Sequence, residues 1–208
     1  MRKQFTRIII ILALSASVAR GQSVRVGAVV SVDASGGAGY GTAVGGGVVG
    51  EWRLQDWISA HGFFVIESAP KLYIGDGTAY RGRLEARLAV PEAQFYSLRP
   101  FASLGVNYSA TATSRYKKQA TNAMIGVGVN RGSVWTLRYH YLPRERQTRN
   151  EVNGHRLGVD VSLPLAPGSK CDYLIEPEYQ RWHFDQFGRG RLAAWSLGLR
   201  VGIGCWVR

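Results

Sequence analysis

The dominant pattern in this chain is an alternation of apolar and polar positions that runs from Ser23 to the last residues. In segment 134–142, for example, Trp, Leu, Tyr and Tyr at positions 135 to 141 alternate with Thr, Arg and His. A period of two residues is typical of a β-strand with two different faces. No segment shows a convincing helical period, so the pattern predicts an all-β fold.

The alternating runs predict about ten strands. Many of them reach ten or more residues, which is longer than the usual strand of a soluble protein and matches the 9–11 residues that a tilted strand needs to cross a bilayer. The predicted strands are residues 23–32, 41–53, 58–67, 78–90, 99–110, 119–130, 133–142, 153–163, 171–185 and 190–207.

Most strands have one wholly apolar face and one face of Gly, Ser, Thr, Asn and charged residues. A secreted sandwich or lipocalin-like barrel would bury the apolar faces in a core, whereas a membrane barrel would turn them towards lipid and the polar faces towards the lumen. Strand length, aromatic placement and connection length favour the membrane. We therefore predict an antiparallel up-and-down transmembrane β-barrel of about 8–10 strands, with the secreted fold as the alternative.

Aromatic residues and connection lengths both support two membrane interfaces. Aromatic side chains near strand ends are typical of interfacial girdles, and here they are Trp52, Trp57, Tyr139, Tyr141, Tyr173, Trp195 and Trp206. With a periplasmic N-terminus, the inward turns 131–133 and 164–170 are short, and the outward loops are longer and polar. These outward loops are 67–77, 111–118 and 143–152, while the inward connection 91–98 is as long as some of them.

The first 21 residues predict a cleaved secretory signal peptide. A basic segment ends at Arg7, the apolar residues 8–18 are too few to span a bilayer, and small residues follow. Cleavage is expected after Ala19 or Gly21, which leaves residues 22–208 as one barrel domain. Mean hydropathy is −0.09 although 46% of residues are hydrophobic, which argues against a helical membrane protein.

Net charge limits the range of partners. The chain carries +12, and cleavage after Gly21 removes Arg2, Lys3, Arg7 and Arg20, which leaves 12 − 4 = +8. Export argues against nucleic acid as a partner and favours anionic lipid head groups, sugar phosphates or acidic polymers. We expect a monomer in the outer membrane, in contact with its lipid, with lipopolysaccharide and with the outer-membrane assembly machinery, and we expect no cofactor and no metal.

The segment 99–108, RPFASLGVNY, resembles the PYxGxGxGY strand of small OmpA/OmpX-type outer-membrane barrels. IGVGVN at 125–130 and WTLRYHY at 135–141 are similar to the central hairpin of that family, and strand 155–163 follows as expected. The resemblance implies a membrane barrel. Two features depart from it: ten strands are predicted where the family usually has eight, and Trp206 is followed by Val207 and Arg208 where the family's chains tend to end on an aromatic residue.

Two cysteines provide the sharpest local signal. Cys171 begins the ninth predicted strand and Cys205 lies near the end of the tenth, and the midpoint between them falls in the turn 187–189. Both share the parity of the apolar face, so they would face each other across a hairpin at the separation that a disulfide needs. Export favours the bond. Two unpaired thiols are the alternative, and a metal site lacks a third ligand nearby.

Charged residues on the predicted inward faces carry both signs. The predicted lumen network consists of Arg81, Arg83, Glu85, Arg87, Arg138, Arg156, Asp160, Glu178 and Arg200, with Arg25 and Glu51 also directed inward. A barrel of eight to ten strands has a narrow interior that side chains largely fill. Mixed charges therefore predict interlocking ion pairs, with a continuous water-filled pore as the alternative.

The four histidines raise the possibility of an enzyme. His140 in RYHY looks a little like the histidine strand of lipid A deacylases, which place a serine two residues later, whereas this chain has Leu142. Deacylation then has no attacking group. We expect His140 to be a lumen residue that is hydrogen-bonded to its neighbours, and no residue is assigned a catalytic role.

Basic residues in two predicted outer loops give the main functional indication. Arg115, Lys117 and Lys118 lie in one loop, and Arg144, Arg146 and Arg149 lie in another. They could contact lipopolysaccharide phosphates through charge-assisted hydrogen bonds, or they could serve solubility alone. The sequence thus predicts a non-enzymatic barrel with a structural or surface-interaction role. A narrow porin-like channel and a lipid A-modifying barrel enzyme are the alternatives.

Overall fold

The computed structural model of the chain describes residues 23–36, 41–72, 75–90, 97–113, 117–132, 134–147, 150–185 and 191–207. Most of these residues are β-strand, as the alternation predicts. Within these ranges, no helix has the length and apolar character that a membrane-crossing helix needs. The predicted signal peptide, residues 1–21, lies outside the described part of the chain.

The described residues form ten strands of 13 to 17 residues. They are β1 Ser23–Gly36, β2 Thr42–Gln55, β3 Ile58–Leu72, β4 Gly75–Ala89, β5 Arg99–Thr113, β6 Lys117–Arg131, β7 Trp135–Gln147, β8 Asn150–Pro164, β9 Cys171–Asp185 and β10 Arg191–Val207. Each strand is longer than the 9–11 residues that cross a hydrocarbon core at a barrel's tilt, so each extends beyond that core.

The strands form a closed antiparallel barrel in which every strand pairs with its neighbours in sequence, and β1 also pairs with β10. The closing register begins at Val24 opposite Val207 and continues to Gly36 opposite Trp195. Closure satisfies the backbone hydrogen bonds that an open sheet would leave at its edges. The predicted fold class is confirmed, and the strand number is ten.

The two faces of the wall differ as the alternation predicts. In β1, Val26 and Val30 are exposed on the outside, while Arg25, Ser31 and Asp33 are buried inside. The same division continues around the barrel. Exposed hydrophobic side chains on the other strands include Val48, Leu84, Leu104, Val127, Leu157 and Leu197. An apolar outer wall around a polar interior inverts the arrangement of a soluble sandwich, and it is the arrangement of a barrel in lipid.

Connections at the end opposite the chain termini are shorter than the sequence predicts. The predicted loops 67–77, 111–118 and 143–152 are strand for most of their length. Polar residues continue the strands there because ladder hydrogen bonds join backbone groups and do not depend on an apolar side chain. At the other end, the connections include a two-residue turn at Asp56–Trp57 and a turn at Gly132, whose φ is +57°. Residues 91–96 lie outside the described ranges.

Candidate functional site

The inward face of the barrel carries a balanced set of charged side chains. Among the described residues, eight arginines form ion pairs with eight carboxylates. They are Arg25, Arg53, Arg81, Arg83, Arg87, Arg138, Arg156 and Arg200, with Asp33, Glu51, Glu67, Glu85, Asp160, Asp172, Glu176 and Glu178. Most of these side chains are buried, so the pairing compensates charges that would be costly alone.

Glu178 on β9 is the centre of this network. Four guanidinium groups, contributed by β4, β7, β8 and β10, lie within ion-pair distance of its carboxylate. They belong to Arg83 at 2.7 Å, Arg138 at 3.1 Å, Arg156 at 3.2 Å and Arg200 at 3.3 Å. Two further acids form ion pairs with two of these arginines: Asp160 lies 2.9 Å from Arg138, and Glu176 lies 3.0 Å from Arg200. One carboxylate therefore holds together side chains from five strands.

Several of these contacts cross the lumen from wall to wall. β4 and β9 are five strands apart in either direction around the ring of ten, so they are opposite each other, and Arg83 on β4 donates a hydrogen bond to Glu178 on β9. Arg87 on β4 also reaches Asp160 on β8 at 3.0 Å. The side chains of Arg83 and Glu178 therefore occupy the lumen at the height where they meet.

His140 lies inside this network with its side chain fully buried. Its Nε2 is 2.6 Å from a carboxylate oxygen of Glu85, which also pairs with Arg87. Leu142 is buried two positions later on the same inward face, at the position where the deacylase pattern has its serine. The contact with Glu85 fits the predicted role of a lumen residue bound to its neighbours, and Leu142 supplies no hydroxyl at the position of the deacylase serine.

A cavity of about 470 Å³ lies at the end of the barrel that carries both chain termini. Arg25, Glu51, Arg99 and Arg131 are among the residues that line it. Its lining also includes Arg87 and Asp160, which belong to the ion-pair network. The cavity is therefore a charged vestibule, and the Arg25–Glu51 pair in its wall is part of the same network.

The two cysteines are joined. Cys171 opens β9 and lies directly opposite Cys205 on β10, with their Cα atoms 4.0 Å apart in a disulfide. Trp206, the next residue, corrects one prediction, because it does not lie in an outward girdle. Its ring packs against the Arg25 and Arg53 guanidinium groups, and its Nε1 donates to Asp172.

The structure places all nine residues of the predicted lumen network on inward faces, and each of them takes part in the ion pairs described above. Sequence reasoning missed Asp33, Arg53, Glu67, Asp172 and Glu176. Asp33 was missed because the predicted first strand ended at 32, and Glu67 because it was counted as the first residue of an outer loop as well as the last residue of the strand 58–67. Glu176 and Asp172 share the parity of Glu178, so strict application of the period of two finds both.

The predicted lipopolysaccharide contacts fall where the structure describes little. Arg115 and Arg149 lie outside the described residues. Lys117 and Lys118 begin β6, and Arg144 and Arg146 lie in the last residues of β7, but their side chains are likewise outside the description. Because β6 and β7 are neighbours, these backbone positions share one end of the barrel. In the described part of the chain, no group of three or more His, Cys, Asp or Glu side chains could hold a metal ion.

Comparison with known proteins gives a fold and no family. The sequence matches no protein-family model and no curated protein. In structure, the chain is similar to the outer membrane protease OmpT from Escherichia coli, with a TM-score of 0.52 and 8% identity over 89% of this chain and 96% of that chain. This similarity shows a shared barrel fold.

Two other solved structures are similar at lower scores. Neisserial surface protein A has a TM-score of 0.39 and 14% identity, over 89% of this chain and 96% of that chain. The attachment invasion locus protein Ail of Yersinia pestis has a TM-score of 0.36 and 10% identity, over 89% of this chain and 97% of that chain.

Proposed function

We propose that this protein is a non-enzymatic, integral outer-membrane β-barrel with a closed lumen and a structural or surface-interaction role. The observation that carries the proposal is the ion-pair network that spans the interior, above all the 2.7 Å contact between Arg83 and Glu178 from opposite strands. Side chains that are locked together across the lumen brace the wall and leave the outer surface as the face available for interaction.

The outer wall supports a place in the membrane. Large apolar side chains are exposed on all ten strands, including Val44 on β2, Ile66 on β3 and Ile203 on β10. Exposed apolar area that encircles a protein would drive aggregation in water, whereas lipid satisfies it without cost. The predicted export signal and the fold shared with outer-membrane barrels agree with an outer-membrane location.

The contacts inside the lumen favour a structural role over a channel or an enzyme. A conducting pore needs a continuous water path, whereas here guanidinium and carboxylate groups meet across the interior. A lipid A deacylase needs an activated hydroxyl beside its histidine, whereas His140 is enclosed with Glu85 inside the barrel. Basic residues at the ends of β6 and β7, among them Lys117, Lys118, Arg144 and Arg146, support contact with lipopolysaccharide phosphates on the cell surface.

Planar-bilayer recording tests the closed lumen. The full mature chain, inserted into bilayers, should show no steady single-channel conductance, while a porin inserted in the same way conducts. A protease-protection assay on matching vesicles confirms that the chain has inserted. Steady current steps from inserted protein would contradict the closed lumen and favour the channel. Mass spectrometry of lipid A from the same vesicles should show no lost acyl chain, and such a loss would favour the enzyme.

A further inference from the structure

The outward face of the barrel is apolar or uncharged almost everywhere except at one place on β8 and β9. Among the side chains that the structure describes on the outward faces of the strands, the Lys, Arg, His, Asp and Glu residues are Arg131, His155, Arg181 and His183. Arg131 is the last residue of β6, at the end that carries the chain termini, where it also lies at the rim of the vestibule. The other three lie together near the opposite end. These three side chains place positive charge and N–H donors together on the outer wall.

The cluster is built by cross-strand pairing. His155 on β8 lies opposite Arg181 on β9 and opposite Tyr141 on β7. The Tyr139 hydroxyl lies 2.6 Å from His155 Nδ1, and the His183 ring meets the His155 ring edge-on at 6.2 Å between centroids. If the hydroxyl donates to Nδ1, a neutral His155 ring carries its proton on Nε2 and keeps a free N–H donor. The imidazole is therefore oriented before any ligand arrives.

The height of the cluster places it at a membrane interface. Tyr173, one of the predicted girdle residues, lies near the start of β9, and Arg181 is eight residues further along the same strand. At about 3.4 Å per residue and a tilt of about 40°, these eight residues span roughly 21 Å along the barrel axis. An apolar band is about 25 Å tall, so Arg181 lies near its upper edge. Trp195 lies beside Arg181 in the same cross-strand row, as an interfacial aromatic residue should.

We infer that His155, Arg181 and His183 form a docking site for a phosphate of lipopolysaccharide, on the barrel wall below the loops. Charge complementarity identifies the occupant: Arg181 is exposed and forms no ion pair with any described residue, so its guanidinium is available to an anion. An outer-leaflet phosphate brings the missing negative charge, and a guanidinium can bind it through two hydrogen bonds. The inference rests on the proposed outer-membrane location.

The test compares lipid binding by wild type and variants of the full mature chain in detergent. Native mass spectrometry measures how strongly each retains purified lipopolysaccharide relative to the same lipid after enzymatic dephosphorylation. Wild type should prefer the phosphorylated lipid by about tenfold or more, since charge-assisted hydrogen bonds are the stronger class. His155→Gln combined with Arg181→Gln should abolish that preference. Arg131→Gln, which removes an outward arginine at the other end, should keep it.

The site would be refuted if the double variant His155→Gln with Arg181→Gln kept the full preference, or if Arg131→Gln lost as much of it. A loss seen only in Arg144→Gln with Arg146→Gln would also refute the site, because it would assign binding to the loops. Heat-modifiable migration on gels confirms that each variant is folded. Arg181→Lys, which keeps the charge, provides a gentler second variant and should retain part of the preference. Failure of wild type to insert into vesicles would refute the proposed function itself, whereas insertion without phosphate preference refutes only this site.

Discussion

Buried charge is the main energetic problem at the scale of single residues. Glu178, Arg83 and Arg138 are almost completely withdrawn from solvent, yet each has oppositely charged groups within about 3 Å. Such pairs add little net stability compared with apolar residues of the same size, but the loss of one partner leaves an uncompensated charge. The network therefore specifies how the barrel interior closes more than it adds to the free energy of folding.

The first prediction concerns Arg138, whose side chain is 0% exposed and pairs with both Asp160 and Glu178. Arg138→Leu should lower the free energy of unfolding by roughly 3–5 kcal/mol, because two carboxylates lose a shared partner. Arg131→Leu, at an exposed position with no ion pair to a described residue, should change it by no more than about 0.5 kcal/mol. Urea titration of the folded barrel in lipid measures both, and equal effects would contradict the assignment of the inward face.

The second prediction concerns Gly158, where a β-carbon would overlap the guanidinium group of Arg138. Gly158→Ala should displace Arg138 from Asp160 and Glu178, with a cost of about 1–3 kcal/mol from overpacking. The matched control is Gly50→Ala, whose new β-carbon would meet only the Arg25 carbonyl oxygen at 3.8 Å. The same titration should find the control within about 0.5 kcal/mol of wild type. A control as damaging as Gly158→Ala would show that glycine flexibility, and not space for Arg138, is what the position requires.

At the scale of strands, the sequence predicts where each strand lies along the chain, but it predicts the length of several strands poorly. The alternation locates all ten strands, and it gives the inward side of β4 as Arg81, Arg83, Glu85 and Arg87. It fails above the apolar belt, where residues 68–72, for example, continue β3 without an alternating pattern. Hydrophobic patterning records which residues meet lipid, whereas backbone pairing continues as long as a neighbouring strand is available. Strand length beyond the membrane is therefore invisible to that signal.

The third prediction concerns the last hairpin, which the disulfide closes at the end nearest the chain terminus. Peptide mapping without reduction should recover Cys171 linked to Cys205, because the register places them face to face. Reduction, or the double variant Cys171→Ser with Cys205→Ser, should lower the free energy of unfolding by about 2–4 kcal/mol, as expected for a closed loop with a sequence separation of 34. Free thiols at both positions in protein isolated from the cell envelope would contradict the pairing of β9 with β10.

At the scale of the whole molecule, closure of the barrel determines which charges meet. The sequence indicates that Arg83 and Glu178 both face inward, but only the ring order shows that β4 and β9 are opposite and that these two side chains touch. Contacts of this kind join residues 95 positions apart, and no local pattern encodes them. For the same reason, the alternation left the choice between eight and ten strands open until the closing register of β1 with β10 was known.

The central claim, that the apolar wall faces lipid, is tested most directly at Leu104 on β5. Its side chain is 61% exposed on the outward face and lies opposite Ile125 of β6. A nitroxide attached to Leu104→Cys, with the native disulfide intact and the protein in lipid vesicles, reports collision rates with oxygen and with a water-soluble nickel chelate by electron paramagnetic resonance. Oxygen concentrates in hydrocarbon, so the account predicts frequent collisions with oxygen and few with nickel. Collisions with nickel as frequent as those of a label in bulk water would contradict it.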